Sequence, residues 1–519
     1  MKPHWMYARR TALALVLFIA AFFSIAAQEK TKCNVKVTLL QVNDVYQFAP
    51  VDQGNAGGLG RVLTLRKSIQ QQNPNTLLLM AGDTISPSVE SITYKGAQMI
   101  EAWNAIGLDY ATYGNHEFDF GPDVLVERVA ESKFGWIAAN VIDKRTGQPF
   151  GGAKRFVVRE FSGVKVGLFG LLLPETKITS RPGDNVEFRS PCDTAKEVVS
   201  ELHRQGVKVV VALTHLSMRE DKEVARCAGV NLIVGGHEHT LLESHAGIAP
   251  IFKMTSDARE LGRIDLNISP DTGELDSIDW KVIPVDSTTK EAPEFAAVYR
   301  KYSSLLTELA KPVGRTSVAL DARSKENRTG ETNVGNFITD AFRKATAADI
   351  GFMNGGSVRA DAVIGPGRLT QRDILSILPF KNKLVKIEVT GAMLRAALEH
   401  GVSRTAENAE PGGFPQVSGV KFSFDASRKP GARLVDVTVN GLPLDDAKKY
   451  TLTTTTFIGL DGGDGYSMFK GAPVIIPPDR APIDIDVVKK ALGTRAIAPK
   501  VEGRIKRLDV AQKSGANCN

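Results

Sequence analysis

Apolar runs recur along the chain from residue 35 onward, and most of them break at the same kind of place. Val35 to Val42 stops at Asn43-Asp44, Asn75 to Met80 at Ala81-Gly82-Asp83, and Val207 to Leu213 at Thr214-His215. Val230 to Val234 runs into Gly235-Gly236-His237-Glu238-His239, and the short run Asp109 to Tyr113 into Gly114-Asn115-His116-Glu117. Val164 to Leu173 ends at Pro174. Runs that are apolar on both faces predict strands buried between layers, not one-sided hairpins. Leu59 to Ile69 and Gly121 to Ser132 predict helices between them. The pattern is that of a layered α/β domain with polar residues at the carboxyl ends of its strands, where such sheets place ligands.

From Leu266 to about Thr289 the pattern changes to short strands and turns. Pro293 to Leu309 then predicts a connector helix, with apolar positions at Phe295, Val298, Tyr299, Tyr302, Leu305 and Leu309. A helix over Asn333 to Lys344 and a strand-then-helix over Ile387 to His400 belong to a second, smaller α/β unit ending near Val510. A chain of 519 residues exceeds one hydrophobic core. The expected division is a leader at 1–27, a first domain at 28–289, a connector at 290–311, a second domain at 312–510 and a tail at 511–519.

The leader reads as a secretory signal peptide: charge up to Arg9-Arg10, an apolar stretch Thr11 to Phe23, then small residues through Ala26-Ala27. It is shorter than a membrane span of about 20 residues, so cleavage and export, to a periplasm or the medium, are expected, with no membrane attachment afterwards. It carries Lys2, Arg9 and Arg10 and no acid, so the formal charge of +7 falls by three, to +4. That surplus, without a basic run interleaved with aromatics, argues against a nucleic-acid polymer as partner. Cys33, Cys192, Cys227 and Cys518 permit disulfides after export, with three pairings open.

The strand-end residues carry the chemistry. Asp44, Asp83, Asn115, His215, His237 and His239 are two carboxylates, one amide and three imidazoles, with no thiolate. Mixed nitrogen and oxygen donors suit Zn, Mn, Fe or Co; Ca and Mg favour oxygen alone. Six donors suit two divalent ions bridged by a carboxylate, about 3.5–4 Å apart, an arrangement that clamps a phosphoryl group. His-Glu-His spacing places both imidazoles on one side if the segment is extended. His116 is available as ligand or acid, and Asp119 can orient it. In the second half, Asn354-Gly355-Gly356-Ser357-Val358-Arg359 follows an apolar strand, and its planar Arg fork suits phosphate. Arg323 and Arg328 lie in a polar stretch nearby. Phe380 in Pro379-Phe380-Lys381-Asn382, and Phe457 ahead of Gly462-Gly463-Asp464-Gly465, read as core residues on their own.

In their order along the chain, Asn43-Asp44, Gly82-Asp83, Gly114-Asn115-His116-Glu117, Thr214-His215 and Gly236-His237-Glu238-His239 resemble the calcineurin-like metallophosphoesterases. The second half resembles the C-terminal domain of 5′-nucleotidases and UDP-sugar hydrolases, so the likeness spans Val35 to Arg504. It implies two divalent ions of the Zn, Mn or Co class. Asp83 would bridge them, Asp44 and His239 would hold the first, and Asn115, His215 and His237 the second. His116, oriented by Asp119, would stabilise the phosphoryl group during in-line attack by water. Arg328, Asn354 and Arg359 match substrate-binding positions, with Arg323 added by proximity. The Phe380 block, which includes Asn382, and the Phe457 block would stack a nucleobase, and Asp464 would hold the ribose. An extra residue before Gly462-Gly463-Asp464 leaves open whether Phe457 or Ile458 faces the base.

The implied activity is hydrolysis of nucleoside 5′-monophosphates, with UDP-sugars or nucleoside di- and triphosphates as further substrates. One departure stands out: the family has Asp-x-His at the first block, and this chain has Asp44-Val45-Tyr46. A phenol with a pKa of about 10 is a poor ligand at neutral pH. Two rival readings follow, a thiosulfate-ester hydrolase of the same architecture and a weakly catalytic nucleotide-binding surface protein.

Overall fold

The computed structural model describes residues 33–405 and 409–509. The leader, Cys518 and the tail expected at 511–519 lie outside the described residues. The first unit is built on two six-stranded sheets. One runs in the order Leu275–Pro284, Glu260–Ile268, Val35–Val42, Thr76–Met80, Tyr110–Thr112, Gly135–Ile137, and its last four strands are parallel. The other runs Leu242–Ala246, Ala249–Lys253, Leu232–Gly235, Val209–His215, Val164–Leu172, Phe156–Phe161, with four parallel strands between antiparallel edges.

The sheets pack face to face, and this explains the two-sided apolar runs. Within Val35–Val42, Val37 and Leu39 enter the core between the sheets, with Leu79, Leu168, Val211 and Val234. Leu40 and Val42 point the other way, into the core under helices such as Leu59–Gln72 and Ala97–Ile106. Both faces of the strand are dry, so its buried polar side chains, Thr38 and Gln41, are hydrogen-bonded within the protein, to Asp265 and to the Gly235 and Phe252 carbonyls. The turn-rich pattern after Leu266 resolves into the long hairpin Glu260–Ile268 and Leu275–Pro284, which extends the first sheet. Its polar residues Arg263, Asp265 and Asn267 alternate with Ile264, Leu266 and Ile268, the period of a strand, while Leu261 packs on the other face.

The connector is a short 3₁₀ turn, Pro293–Phe295, followed by the helix Ala296–Leu309. Phe295, Tyr299 and Tyr302 surround Phe48 at 5.6–6.4 Å between ring centroids, which fixes the connector to the first unit. The second unit holds a five-stranded sheet, Pro415–Ser418, Ile350–Asn354, Lys449–Thr455, Leu384–Thr390, Val474–Ile476, and a smaller four-stranded one. The helix Asn333–Thr346 starts at Thr332, whose hydroxyl accepts the Gly335 N–H at 3.0 Å. Of the cysteines, Cys192 and Cys227 form a disulfide between the helices Pro191–Arg204 and Met218–Cys227, and Cys33 is exposed. Among the described residues no helix is long and apolar enough to cross a membrane.

The two sheets come close at Gly170, in Val164–Leu172, whose carbonyl accepts the Ala139 N–H at 2.8 Å. A Cβ on Gly170 would overlap the Ile137 carbonyl oxygen of the opposite sheet and sit 2.5 Å from Thr112 Oγ1. Gly170→Ala is therefore expected to cost about 1–3 kcal/mol through forced separation of the layers. A thermal melt reads this directly, and an unchanged midpoint would show that the sheets part without cost.

Candidate functional site

Three of the strand-end residues sit in left-handed backbone: Asp44 at φ +53°, Asp83 at +63° and His237 at +82°. Such conformations cost a non-glycine residue about 1–3 kcal/mol and persist only where neighbours enforce them. Here the neighbours are hydrogen bonds between the strand ends. Asp44 N–H donates to the Gly82 carbonyl at 3.0 Å. The Asp44 carboxylate accepts the His237 N–H at 2.9 Å and the Asn43 side-chain amide at 2.8 Å. Glycines allow the approach: a Cβ on Gly114 would overlap the Asp83 carboxylate, and one on Gly82 would lie 2.5 Å from the His215 ring.

The left-handed turn at His237 corrects the expectation that His-Glu-His is extended. The bend sends the two imidazoles to different partners. His237 meets the His215 ring edge-on, 5.2 Å between centroids, and His239 Nε2 reaches Asp44 Oδ1 at 3.3 Å.

Asp44, Asp83 and His215 each offer a ligand atom within 4.8 Å of the others, and all three are buried. His215 Nδ1–H donates to the Ala81 carbonyl at 2.9 Å, which leaves Nε2 facing Asp83 Oδ2 at 3.2 Å. Asn115 Oδ1 and His239 Nδ1 are buried without a hydrogen-bond partner, and His215 Nε2 has only the Asp83 carboxylate before it. Burial works against charge on His215, yet Asp83 and Asp44 prevail and push its pKa up to about 10. His237 goes down to about 3, through burial first and the neighbouring His215 second. Two buried carboxylates that draw a proton so strongly onto an imidazole form a site for positive charge, and the unpartnered donor atoms fit a divalent ion.

Tyr46 stands where the family's imidazole is expected. Its hydroxyl lies 3.2 Å from Asp44 Oδ1, 3.4 Å from Asp83 Oδ2 and 2.9 Å from His239 Nε2. It also accepts from Arg359 Nη2 at 3.1 Å, across the boundary between the two units. Burial and the Asp44 and Asp83 charges raise its pKa well above 10, so the phenol stays neutral.

Glu117 has a function that its motif did not reveal. One carboxylate oxygen accepts the Thr84 and Ile85 N–H groups at 2.6 and 3.2 Å, the other the Asp83 N–H at 2.9 Å and the Gly114 N–H. It is the buried carboxyl group around which the Asp83 turn is wound, its pKa pushed up to about 7 by burial and then by the Asp83 charge. Next to it, His116 Nδ1 bonds Asp119 at 2.7 Å, and Asp119 is held from behind by the Ser180 hydroxyl at 2.8 Å.

The second unit closes over this cluster, and the two form one cleft. Asp83, Asn115, His116, His237 and His239 line it from one side. Arg328, Arg359, Asn354, Asn382, Phe380 and Phe457 line it from the other, with Asp464 beside Asn354. Phe380 stacks on the His116 ring at 6.1 Å and 24°. Phe457 faces the cleft while Ile458 is fully buried in the core of the second unit. Asp464 accepts the Asn354 amide at 2.6 Å. Arg328 has a buried Nε without a partner, and burial together with Arg359 lowers its pKa. Arg323 is the exception: it is exposed, lies outside the lining and is forked onto Asp321 at 2.9 and 2.6 Å. Its nearest carboxylate, two residues back, captures it.

With this geometry in view, comparison with known proteins is specific. The profile of calcineurin-like phosphoesterases matches residues 37–241, and that of the 5′-nucleotidase C-terminal domain matches residues 312–471. The chain is 30% identical to a 5′-nucleotidase of Diplobatis ommata, over 91% of this chain and 89% of that protein. It is 31% identical to the trifunctional nucleotide phosphoesterase YfkN of Bacillus subtilis, over 92% of this chain but only 36% of that longer protein. Among solved structures, a 5′-nucleotidase precursor from Thermus thermophilus superposes with a TM-score of 0.85 at 28% identity, covering 92% of this chain and all of the other.

Glu117→Gln tests how the Asp83 turn is held. The amide would turn a donor toward two of four backbone N–H groups, and each buried donor left unsatisfied costs about 1–3 kcal/mol. The variant is expected to melt earlier and to bind Mn²⁺ more weakly by calorimetry, although Glu117 is not itself a ligand. Unchanged melting and binding would show that the turn holds without it.

Proposed function

Since this chain belongs to the 5′-nucleotidase family and is a metal-dependent phosphoric ester hydrolase, we propose that it is an exported, dinuclear nucleotidase releasing phosphate from nucleoside 5′-monophosphates. The observation that carries this reading is the single cleft in which a carboxylate–imidazole cluster faces two arginines and two phenylalanine rings. A generic phosphatase needs only the first half of that set. A thiosulfate-ester hydrolase has no use for two rings and a carboxylate lining the same cleft as the cluster.

Asp83 would bridge two ions of the Zn, Mn or Co class, with Asp44 and His239 on one and Asn115, His215 and His237 on the other. When bound, such ions supply positive charge to the phosphoryl oxygens and lower the pKa of the attacking water. The remaining work belongs to side chains of this chain. Arg328 and Arg359 present guanidinium groups to the phosphate from the opposite wall. His116, with Nδ1–H committed to Asp119, turns Nε2 toward the space above Asp83, where it stabilises charge developing on the phosphoryl group. Phe380 and Phe457 take the base between them, which tolerates different bases because every base has a π face. Asp464 accepts ribose hydroxyls, and UDP-sugars or nucleoside di- and triphosphates extend the same contacts.

Phosphate release from a nucleotide panel tests the reading. Chelation should abolish it, and Mn²⁺, Co²⁺ or Zn²⁺ should restore it better than Mg²⁺; full activity after proven metal removal would overturn the metal assignment. Phe380→Ala should lose about 1–3 kcal/mol of stacking, about 5- to 150-fold in kcat/KM for a nucleotide. It should leave a small non-nucleotide ester nearly untouched, and equal losses on both would remove the base-stacking role. Tyr46→His should tighten binding of the ion at Asp44 and His239 by about tenfold or more, read by calorimetry. Equal metal affinity in both proteins would show that the phenol does not weaken that site.

A further inference from the structure

Behind the three imidazoles lies a residue that no motif contains. Lys253 ends the strand Ala249–Lys253 and is completely buried. Its register partner is Gly235, on which its stem lies: a Cβ there would come within 3.0 Å of Lys253 Cε. The ammonium donates to the Leu216 carbonyl at 2.7 Å and the Gly236 carbonyl at 2.9 Å. It also pairs with Asp221 at 2.8 Å and with Glu238.

The partners follow one rule. Leu216 follows His215, Gly236 precedes His237, and Glu238 separates His237 from His239. Asp221 in turn accepts the hydroxyl of Thr214, the residue before His215, at 2.7 Å. The second oxygen of Glu238 accepts the Met218 N–H at 2.6 Å. One cation thus touches the chain next to each imidazole and joins the turn after Val209–His215 to the turn after Leu232–Gly235. A buried ammonium is costly unless its partners are fixed, so its partners are held as firmly as it is. A charge serving only to cross-link the core would not need both carbonyls beside the histidines.

We propose that Lys253 is a positioning residue for the metal ligands, setting His215, His237 and His239 through Leu216, Gly236 and Glu238. The middle residue of His-Glu-His is then not a ligand but the anchor of the turn that separates the two imidazoles. This rests on the metal reading of the site given above.

The test is calorimetric titration of the purified, metal-stripped chain with Mn²⁺ alone, for wild type, Lys253→Met and Glu238→Gln. Groups behind metal ligands typically matter about 10–100-fold in affinity. Lys253→Met is expected to bind in that range more weakly, Glu238→Gln by a smaller factor, and saturating Mn²⁺ should restore most of the turnover. A purely structural role would instead lower the melting midpoint of the metal-free protein and leave the Mn²⁺ affinity of the folded protein unchanged. Wild-type affinity in the folded variants overturns the proposal. If Lys253→Met does not fold, Glu238→Gln decides alone, and unchanged affinity there overturns it as well. Failure of the wild type itself to bind Mn²⁺ would strike the metal reading, a separate outcome.

Discussion

Everything at the rim of the sandwich depends on two carboxylates, Asp44 and Asp83, being buried close together. Such a pair repels and is badly solvated, and a protein tolerates it only by surrounding it with donors and cations. The chain supplies backbone N–H groups from His237 and His116, the amide of Asn43, and an imidazole at His215. Those donors come from the ends of four different strands, two in each sheet, so the facing of the sheets is what brings the charge and its compensation together. Two buried ionisable side chains, Glu117 under one turn and Lys253 under two others, hold the turns in place.

The second unit completes the electrostatics. Arg359 bonds the Tyr46 hydroxyl and lies over its ring at 5.4 Å, so a guanidinium from one unit rests on the anionic cluster of the other. Phe380 covers His116 in the same way. The cleft lining of the second unit and the carboxylate–imidazole cluster of the first are therefore in direct contact.

How much of this the sequence disclosed follows from whether each cause is local. The strand ends were legible because Asp44, Asp83 and His215 each interrupt a short, apolar run of strand length, the pattern of a strand buried between layers. The bend at His237 was not, because its left-handed backbone is imposed by a hydrogen bond to Asp44, 193 residues away. Lys253 was invisible for the same reason: nothing near it in sequence shows that four oxygens await it. Arg323 misled because nearness along the chain was taken for nearness in space, and Asp321 claims it. Between Phe457 and Ile458 the short helix Thr456–Gly459 makes the difference, with Phe457 on the cleft lining and Ile458 in the core of the second unit.

The left-handed turns at Asp44, Asp83 and His237 have a thermodynamic counterpart. Each holds about 1–3 kcal/mol of backbone strain, placed where an ion would bind and nowhere useful to a bare fold. A ligand that binds only the folded state returns about 2.7 kcal/mol at a hundred times its dissociation constant. A divalent ion held at these turns would thus be a folding partner as well. For this chain, heat resistance becomes a gauge of how full the site is, readable before any ester is cleaved.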